Sequence, residues 1–153
     1  MVDKQFAYSF GDVTSGIQGP SGSISLSEKG IANEGISVEP AERVSTTYGA
    51  DGSWMHSLHK AKGGKIRVRC MKNGKINGLL SKMFAGDQAS SANTGQNVIS
   101  VRNPVAGDNW TAIGCAFTGL PTTVYNVEGP ALEWVFNIGM IDGVLGSGTP
   151  EIS

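Results

Sequence analysis

Residues 64–86 read GKIRVRCMKNGKINGLLSKMFAG and contain the sharpest change of hydrophobic period in the chain. As far as residue 70, apolar and basic side chains alternate, which predicts a β-strand with one buried face. After Gly74 the apolar residues recur at helical spacing, which predicts a helix that ends near Gly86. The strand's buried face carries Ile66, Val68 and Cys70, its opposite face carries Lys65, Arg67 and Arg69, and the helix stripe carries Ile76, Leu79, Leu80, Met83 and Phe84.

The rest of the chain consists largely of short alternating stretches separated by glycine and proline, a pattern typical of β-strands and turns. Strands at 44–48 and 53–59 predict a long hairpin with a glycine-flanked tip. We therefore predict a mainly β (α+β) fold, an antiparallel β-sandwich or barrel with one flanking α-helix. Further strands are predicted at 6–10, 23–27, 36–38, 98–102, 111–119, 122–128 and 132–141, and a loop at 14–22.

Length and composition fit one domain spanning residues 1–153. Glycine accounts for 22 residues and charged residues for 16% of the chain, and the latter is below the roughly 25% typical of soluble domains. Few charges and many small residues suit a β-rich protein whose surface is covered by partners. The Gly-rich residues 143–153 predict a C-terminal arm that is extended or mobile when alone. Because the sequence shows neither a signal peptide nor a long apolar run, we expect no membrane insertion.

Charge is unevenly distributed along the chain. Residues 52–86 carry eight Lys or Arg and no Asp or Glu, whereas residues 1–51 carry seven acids and three bases, and residues 87–153 carry six acids and one base. A basic middle between acidic ends can be a solvated surface, can bind a polyanion, or can bind the acidic surface of another copy. The pI of about 6.1 and the lack of interleaved aromatic residues disfavour nucleic-acid recognition.

Few residues could support catalysis or metal binding. His56 and His59 are the only histidines, and on a strand they would point to opposite faces. Residues 52–86 contain no Asp or Glu that could complete a metal site. The chain has no P-loop, no strand-associated G-x-G-x-x-G, no G-x-S-x-G and no C-x-x-C pair. We predict no catalytic residue, no metal, no cofactor and no enzymatic activity, and we predict that Cys70 and Cys115 are buried free thiols.

Five segments follow one another along the chain: Tyr8-Ser9-Phe10-Gly11-Asp12-Val13, Glu42-Arg43-Val44 with Gly49-Ala50-Asp51-Gly52, the strand 64–70, the helix 76–84, and Glu133-Trp134-Val135-Phe136 before a Gly-rich end. Their order resembles that in a family of phage structural proteins that form tail tubes. The resemblance covers nearly the whole chain, and its motifs are short and non-catalytic. It implies a β-sandwich or barrel with one flanking helix, which assembles as hexameric rings that stack into a hollow tube, related in architecture to the tubes of type VI secretion systems.

The resemblance implies a structural virion protein of the tail, assembled in the cytoplasm of the bacterial host. Its partners would be further copies of itself, a contractile sheath and baseplate proteins, while DNA passes transiently through the lumen during ejection. A head-to-tail ring contact joins two different patches, and the opposite charges supply the candidates Lys65, Arg67 and Arg69 against Glu28, Glu34 and Glu39. We expect the three basic residues not to line the bore, because cations would bind phosphate and slow the transit of DNA. Ring stacking is predicted for the hairpin residues Tyr48, Gly49, Ala50, Asp51, Gly52, Ser53 and Trp54.

Two alternative interpretations remain open from the sequence. One is a secretion-type tube, a baseplate ring or a tail-completion ring of the same architecture. The other is a small β-sandwich module that binds carbohydrate or protein, with Trp54, Trp110 or Trp134 as an aromatic platform. For Trp134, whose strand alternates, packing in the core is the better interpretation.

Overall fold

The computed structural model describes residues 8–9, 13–26, 31–72 and 74–146, with the backbone alone at residues 31–34. Within these ranges the chain forms ten strands and one helix. They are β1 (Thr14–Gly19), β2 (Gly22–Ser25), β3 (Ile31–Pro40), β4 (Val44–Tyr48), β5 (Trp54–Leu58), β6 (Gly64–Cys70), α1 (Lys75–Gln88), β7 (Asn97–Asn103), β8 (Asp108–Phe117), β9 (Leu132–Ile138) and β10 (Met140–Val144).

Eight of these strands form an open antiparallel sheet in the order β2-β1-β7-β8-β9-β6-β3, with β10 also paired to β8. Strand β8 joins the two halves, because its first part pairs with β7 and β10 while Ala116 and Phe117 pair with β9. Two glycines meet at this junction. Gly114 has a φ of +67°, a conformation that glycine adopts without strain, and the Gly139 N–H donates to the carbonyl oxygens of Ile113 and Gly114.

Among the described residues, buried apolar side chains from both halves of the sheet and from α1 form one hydrophobic core. The alternation of β6 is confirmed, because Ile66, Val68 and Cys70 are at most 1% exposed while the basic residues between them are half-buried or exposed. Trp134 on β9 packs edge-on to Phe117, with 5.9 Å between ring centroids, and its Nε1–H donates to Asn77 Oδ1 at 3.0 Å. The mainly β (α+β) fold with one flanking helix that the sequence predicts is therefore confirmed.

Helix α1 begins and ends close to the predicted bounds, and its C-terminal turn is fixed by a buried carboxylate. Asp87 is 3% exposed, and its side chain accepts hydrogen bonds from Asn97 Nδ2 at 2.6 Å and from Ser21 Oγ at 3.3 Å. These bonds connect the helix to β7 and to the turn between β1 and β2. Among the described residues, no helix has the length and apolar character needed to cross a lipid bilayer.

Three sequence predictions of secondary structure are wrong. Residues 14–19, expected in a loop, form β1. Gly19 allows this strand to pack closely against Asn97, because a Cβ at this position would lie 1.8 Å from Asn97 Oδ1. Residues 122–128, expected to be a strand, have no regular structure, because Asn126 Oδ1 accepts the N–H groups of Glu128 and Gly129 and turns the chain. The predicted strand 132–141 is divided into β9 and β10 at Gly139.

The predicted C-terminal arm begins within an ordered segment. Gly143 and Val144 belong to β10 and pair with Trp110 and Asn109, and the Gly146 N–H donates to Asp108 Oδ1 at 2.9 Å. Residues 147–153 lie outside the described residues, as does most of the strand predicted at 6–10.

Cys70 and Cys115 are free and fully buried, as predicted. Burial raises the pKa of both thiols to about 11, and the thiolate is the reactive form of cysteine. We expect iodoacetamide at pH 8 to leave the native protein unmodified and to add two groups in urea, as counted by intact mass. Rapid modification of the native protein would contradict the buried placement.

Candidate assembly surfaces

Strands β4 and β5 form a two-stranded hairpin that is separate from the main sheet. Its base is held by the Ala41 N–H, which donates to the Gly63 carbonyl at 2.9 Å, and by Arg43 Nη2, which donates to the Ile141 carbonyl at 2.7 Å. Beyond this base every residue of the two strands is exposed except Ser45 and Ser57, which are half-buried. A two-stranded hairpin is marginally stable by itself in water, so packing against another surface would stabilise this one.

The two faces of the hairpin differ in character. Residues directly opposite each other in an antiparallel pair lie on the same face, and the register places most of the apolar side chains together. We call this the aromatic face of the hairpin; it carries Val44 with Leu58, Thr46 with His56, and Tyr48 with Trp54. Tyr48 is 73%, Trp54 67% and Leu58 83% exposed. Such a cluster of exposed apolar groups marks an interaction surface.

The hairpin tip is ordered by its own hydrogen bonds. The Gly49 N–H donates to the Ser53 carbonyl at 2.7 Å, and Asp51 Oδ1 accepts from both Ser53 Oγ at 2.6 Å and the Ser53 N–H at 3.1 Å. These bonds from Ser53 lower the pKa of Asp51. Gly52, with a φ of +88°, allows the reversal of the chain. The hairpin predicted from the sequence is confirmed. Hydrogen bonds hold both its base and its tip.

The two histidines lie on opposite faces of the hairpin, as predicted. His56 Nδ1 is 2.8 Å from Thr46 Oγ1 on the aromatic face, and His59 Nε2 is 3.0 Å from Ser45 Oγ on the other face. Within the described part of the chain, no three His, Cys, Asp or Glu side chains come together as a metal site would require.

The three basic residues of β6 share the outer face of the β3-β6-β9 sheet with acidic neighbours. Arg67 contacts Glu133 at 3.0 Å and Glu39 at 3.4 Å, and Arg69 contacts Glu133 at 2.7 Å. Both carboxylates raise the pKa of Arg67, and the hydrogen bond to Glu133 has the largest effect. Lys65 lies directly opposite Glu39 in the register. The basic run of the sequence is therefore a mixed-charge surface in the fold, and part of its charge is neutralised within the chain.

Of the acidic residues predicted as complements, only Glu39 has a described side chain. Glu28 lies outside the described residues, and only the backbone of Glu34 is described. The sequence did not indicate Glu133 as a partner, because it is 66 residues away from Arg67 and no local pattern connects the two.

The loop between β8 and β9, residues 118–131, is a second exposed apolar surface. Val127 is fully exposed, Tyr125 is 85% and Leu120 63% exposed. The loop is held by Lys72, whose Nζ lies 4.0 Å from the centroid of the Tyr125 ring and donates to the Val124 carbonyl. Between the loop and the end of β6 lies a groove of about 680 Å³. The strand predicted at 122–128 hid this surface, although Pro121 and the Gly129-Pro130 pair are signals of a loop.

Of the three candidate tryptophan platforms, only one is presented to solvent. Trp134 is 2% exposed and belongs to the core, and Trp54 is 67% exposed on the hairpin. Trp110 is half-buried, with its ring so close to Gly143 that a Cβ there would lie 2.2 Å from it. A carbohydrate platform built of several tryptophans is thus not present among the described residues.

Comparisons with known proteins agree with this architecture. The family model described as "Bacteriophage PhiTE tail tube protein" matches residues 6–146. Among solved structures, a chain of the sheath-tube complex of an extracellular contractile injection system is 10% identical, with a TM-score of 0.55 over 86% of this chain and 88% of the other. A chain of the tube-terminating cap of the anti-feeding prophage is 11% identical, with a TM-score of 0.54 over 95% and 96%. No curated protein sequence matched significantly.

Proposed function

Because this chain belongs to the bacteriophage PhiTE tail tube protein family, we propose that it forms hexameric rings, which stack into the hollow tube through which DNA leaves the virion. The observation within the fold that best supports stacking is the isolated hairpin, whose aromatic face is exposed along its whole length. An exposed surface of this kind suits a subunit that is buried among copies of itself. The role is structural, and it uses no catalytic residue.

Stacking is proposed to use the hairpin from Tyr48 to Trp54. The tip is ordered by the hydrogen bonds of Asp51 and Ser53, so little conformational entropy is lost when it docks. Trp54 and Tyr48 then provide the kind of aromatic anchors that dominate protein interfaces.

The ring contact is proposed to use the outer face of the β3-β6-β9 sheet, with Lys65, Arg67 and Arg69 facing acidic residues of the neighbouring copy. Glu28 and Glu34 stay the candidates for this role, whereas Glu39 already pairs with Arg67 of its own chain and lies on the same face. Replacing the three basic residues together by Glu is expected to block ring formation, since like charges would then meet across the contact. Size-exclusion chromatography with light scattering measures the ring. Because Arg67 and Arg69 also pair with Glu133, circular dichroism must show that the variant is folded. Rings formed at the wild-type concentration would place the contact elsewhere.

Electron microscopy of the purified protein tests the function as a whole. Negative staining is expected to show rings or hollow filaments of constant width, whose length increases with protein concentration. A protein that remains a monomer at every concentration and salt condition would overturn the proposal and would favour a small binding module.

A contractile sheath is proposed as the outer partner. This is supported by the fold, which is shared with a chain from a sheath-tube complex of an extracellular contractile injection system. The same likeness favours a second candidate function, the tube of an injection particle that has no DNA-filled head. Micrographs of particles from the producing strain distinguish the two, because phage tails are attached to capsids.

A further inference from the structure

The hairpin and the loop of residues 118–131 lie at opposite ends of one sheet. Strands β6 and β9 are antiparallel, with Gly64 opposite Ile138 at one end and Cys70 opposite Leu132 at the other. The hairpin adjoins the first end, where Pro40 pairs with Gly64, and the loop enters β9 at the second. Seven residues of strand span about 20 Å. Each copy therefore presents one exposed apolar surface at each end of this sheet.

The loop is an ordered surface with a concave part. Met71, Lys72, Tyr125, Val127 and Glu128 line the groove of about 680 Å³. The contacts of Lys72 with Tyr125 and Val124, together with the turn at Asn126, hold the apolar side chains in place. Exposed apolar groups that are fixed around a groove are typical of a binding surface.

We propose that this groove receives the aromatic face of the hairpin of the next copy. A contact between two different surfaces is heterologous, and it generates a filament where the repeated rotation does not close into a ring. Surfaces at opposite ends of the subunit favour the filament, because each added copy then extends the assembly along one axis. Every copy carries both surfaces, so a second copy of this chain supplies the partner without any other protein. Their polar groups also match, because Trp54 and Tyr48 offer an indole N–H and a phenol O–H, whereas Glu128 offers a carboxylate.

This inference rests on the proposed stacking and names the receiving surface. Thr46 lies on the aromatic face between the two apolar pairs, and Thr47 lies next to it on the other face. Val127 is fully exposed, so substitution there leaves the fold of the subunit unchanged. The native cysteines are buried, with the pKa of each thiol at about 11, and do not compete in disulfide formation.

The test is disulfide cross-linking between two variants that each carry one introduced cysteine and are mixed before assembly. Thr46→Cys mixed with Val127→Cys is expected to form at least five times more cross-linked dimer under mild oxidation than Thr47→Cys mixed with Val127→Cys. Non-reducing gel electrophoresis measures the dimer. Adding Trp54→Glu to the Thr46→Cys chain is expected to remove the cross-link, because the hairpin can then no longer dock.

A second measurement does not depend on cross-linking geometry. Val127→Glu is expected to raise the protein concentration needed for filaments at least tenfold. Thr122→Glu, also exposed but outside the residues that line the groove, is expected to raise it less than twofold. One outcome would overturn the groove alone: the wild type forms filaments, Trp54→Glu blocks them, and neither Val127→Cys nor Val127→Glu has its expected effect. Stacking through the hairpin would then stand, but its receptor would not be this groove. If the wild type forms no filaments, the proposed function fails as well.

Discussion

Replacing Trp54 by Glu is expected to abolish tube formation while the subunit stays folded. Trp54 is 67% exposed and faces Tyr48 on the aromatic face of an isolated hairpin, so the fold of a single subunit does not depend on it. Burying a carboxylate in place of an aromatic anchor costs about 2–4 kcal/mol per contact, which corresponds to a roughly 30- to 700-fold weaker contact. Because each added subunit must make this contact, elongation stops at concentrations where the wild type forms filaments.

Sedimentation of filaments and negative-stain microscopy measure this effect. The matched control is Met55→Glu, since Met55 is the next residue on β5, is 61% exposed and lies on the other face of the hairpin. It adds the same charge on the other face of the hairpin, and it is expected to assemble nearly as well as the wild type. Equal loss of assembly in both variants would mean that charge on the hairpin, and not its aromatic face, controls stacking.

The strand-helix segment and the hairpin could be predicted because their information is local. In β6 the alternation of apolar and basic residues is complete, and it matches the observed burial at each position. In α1 the predicted apolar stripe gives the buried side of the helix at Ile76, Leu80 and Met83. Leu79, predicted on the same stripe, is instead 48% exposed. The hairpin follows from two short strands around a glycine-flanked tip, and its faces follow from the register.

The remaining features depend on contacts between distant segments. Residues 14–19 contain only one large apolar residue, Ile17. Of the two glycines that suggest a loop, Gly19 lets β1 approach Asn97. The basic face of β6 has the expected side chains, but Glu133 and Glu39 pair with them from two other strands. Residues 122–128 have a strand-like composition without a neighbouring strand to pair with. No local pattern in the sequence distinguishes these cases.

Trp54 is expected to matter for assembly, whereas Trp134 is expected to matter for the stability of the fold. Replacing Trp134 has the largest expected effect on stability. Trp134→Ala is expected to lower the free energy of unfolding by about 3–5 kcal/mol, a large part of the 5–15 kcal/mol typical of a domain. Trp134 is 2% exposed, packs against Phe117, and donates to Asn77 Oδ1, which loses its partner when the indole is removed. Urea unfolding followed by circular dichroism measures the loss.

Two matched substitutions, Trp134→Phe and Trp54→Ala, show where the lost stability of Trp134→Ala comes from. Trp134→Phe keeps an aromatic ring against Phe117 and removes the indole N–H, so it is expected to cost about 1–3 kcal/mol, mainly for the unsatisfied Asn77. Trp54→Ala is expected to leave the urea midpoint of the monomer unchanged, because this side chain is mostly in water, and yet to impair filament formation. If Trp134→Ala and Trp54→Ala shifted the midpoint equally, the division between a core tryptophan and an assembly tryptophan would be wrong, and the aromatic face could not be regarded as surface that is free for a neighbouring subunit.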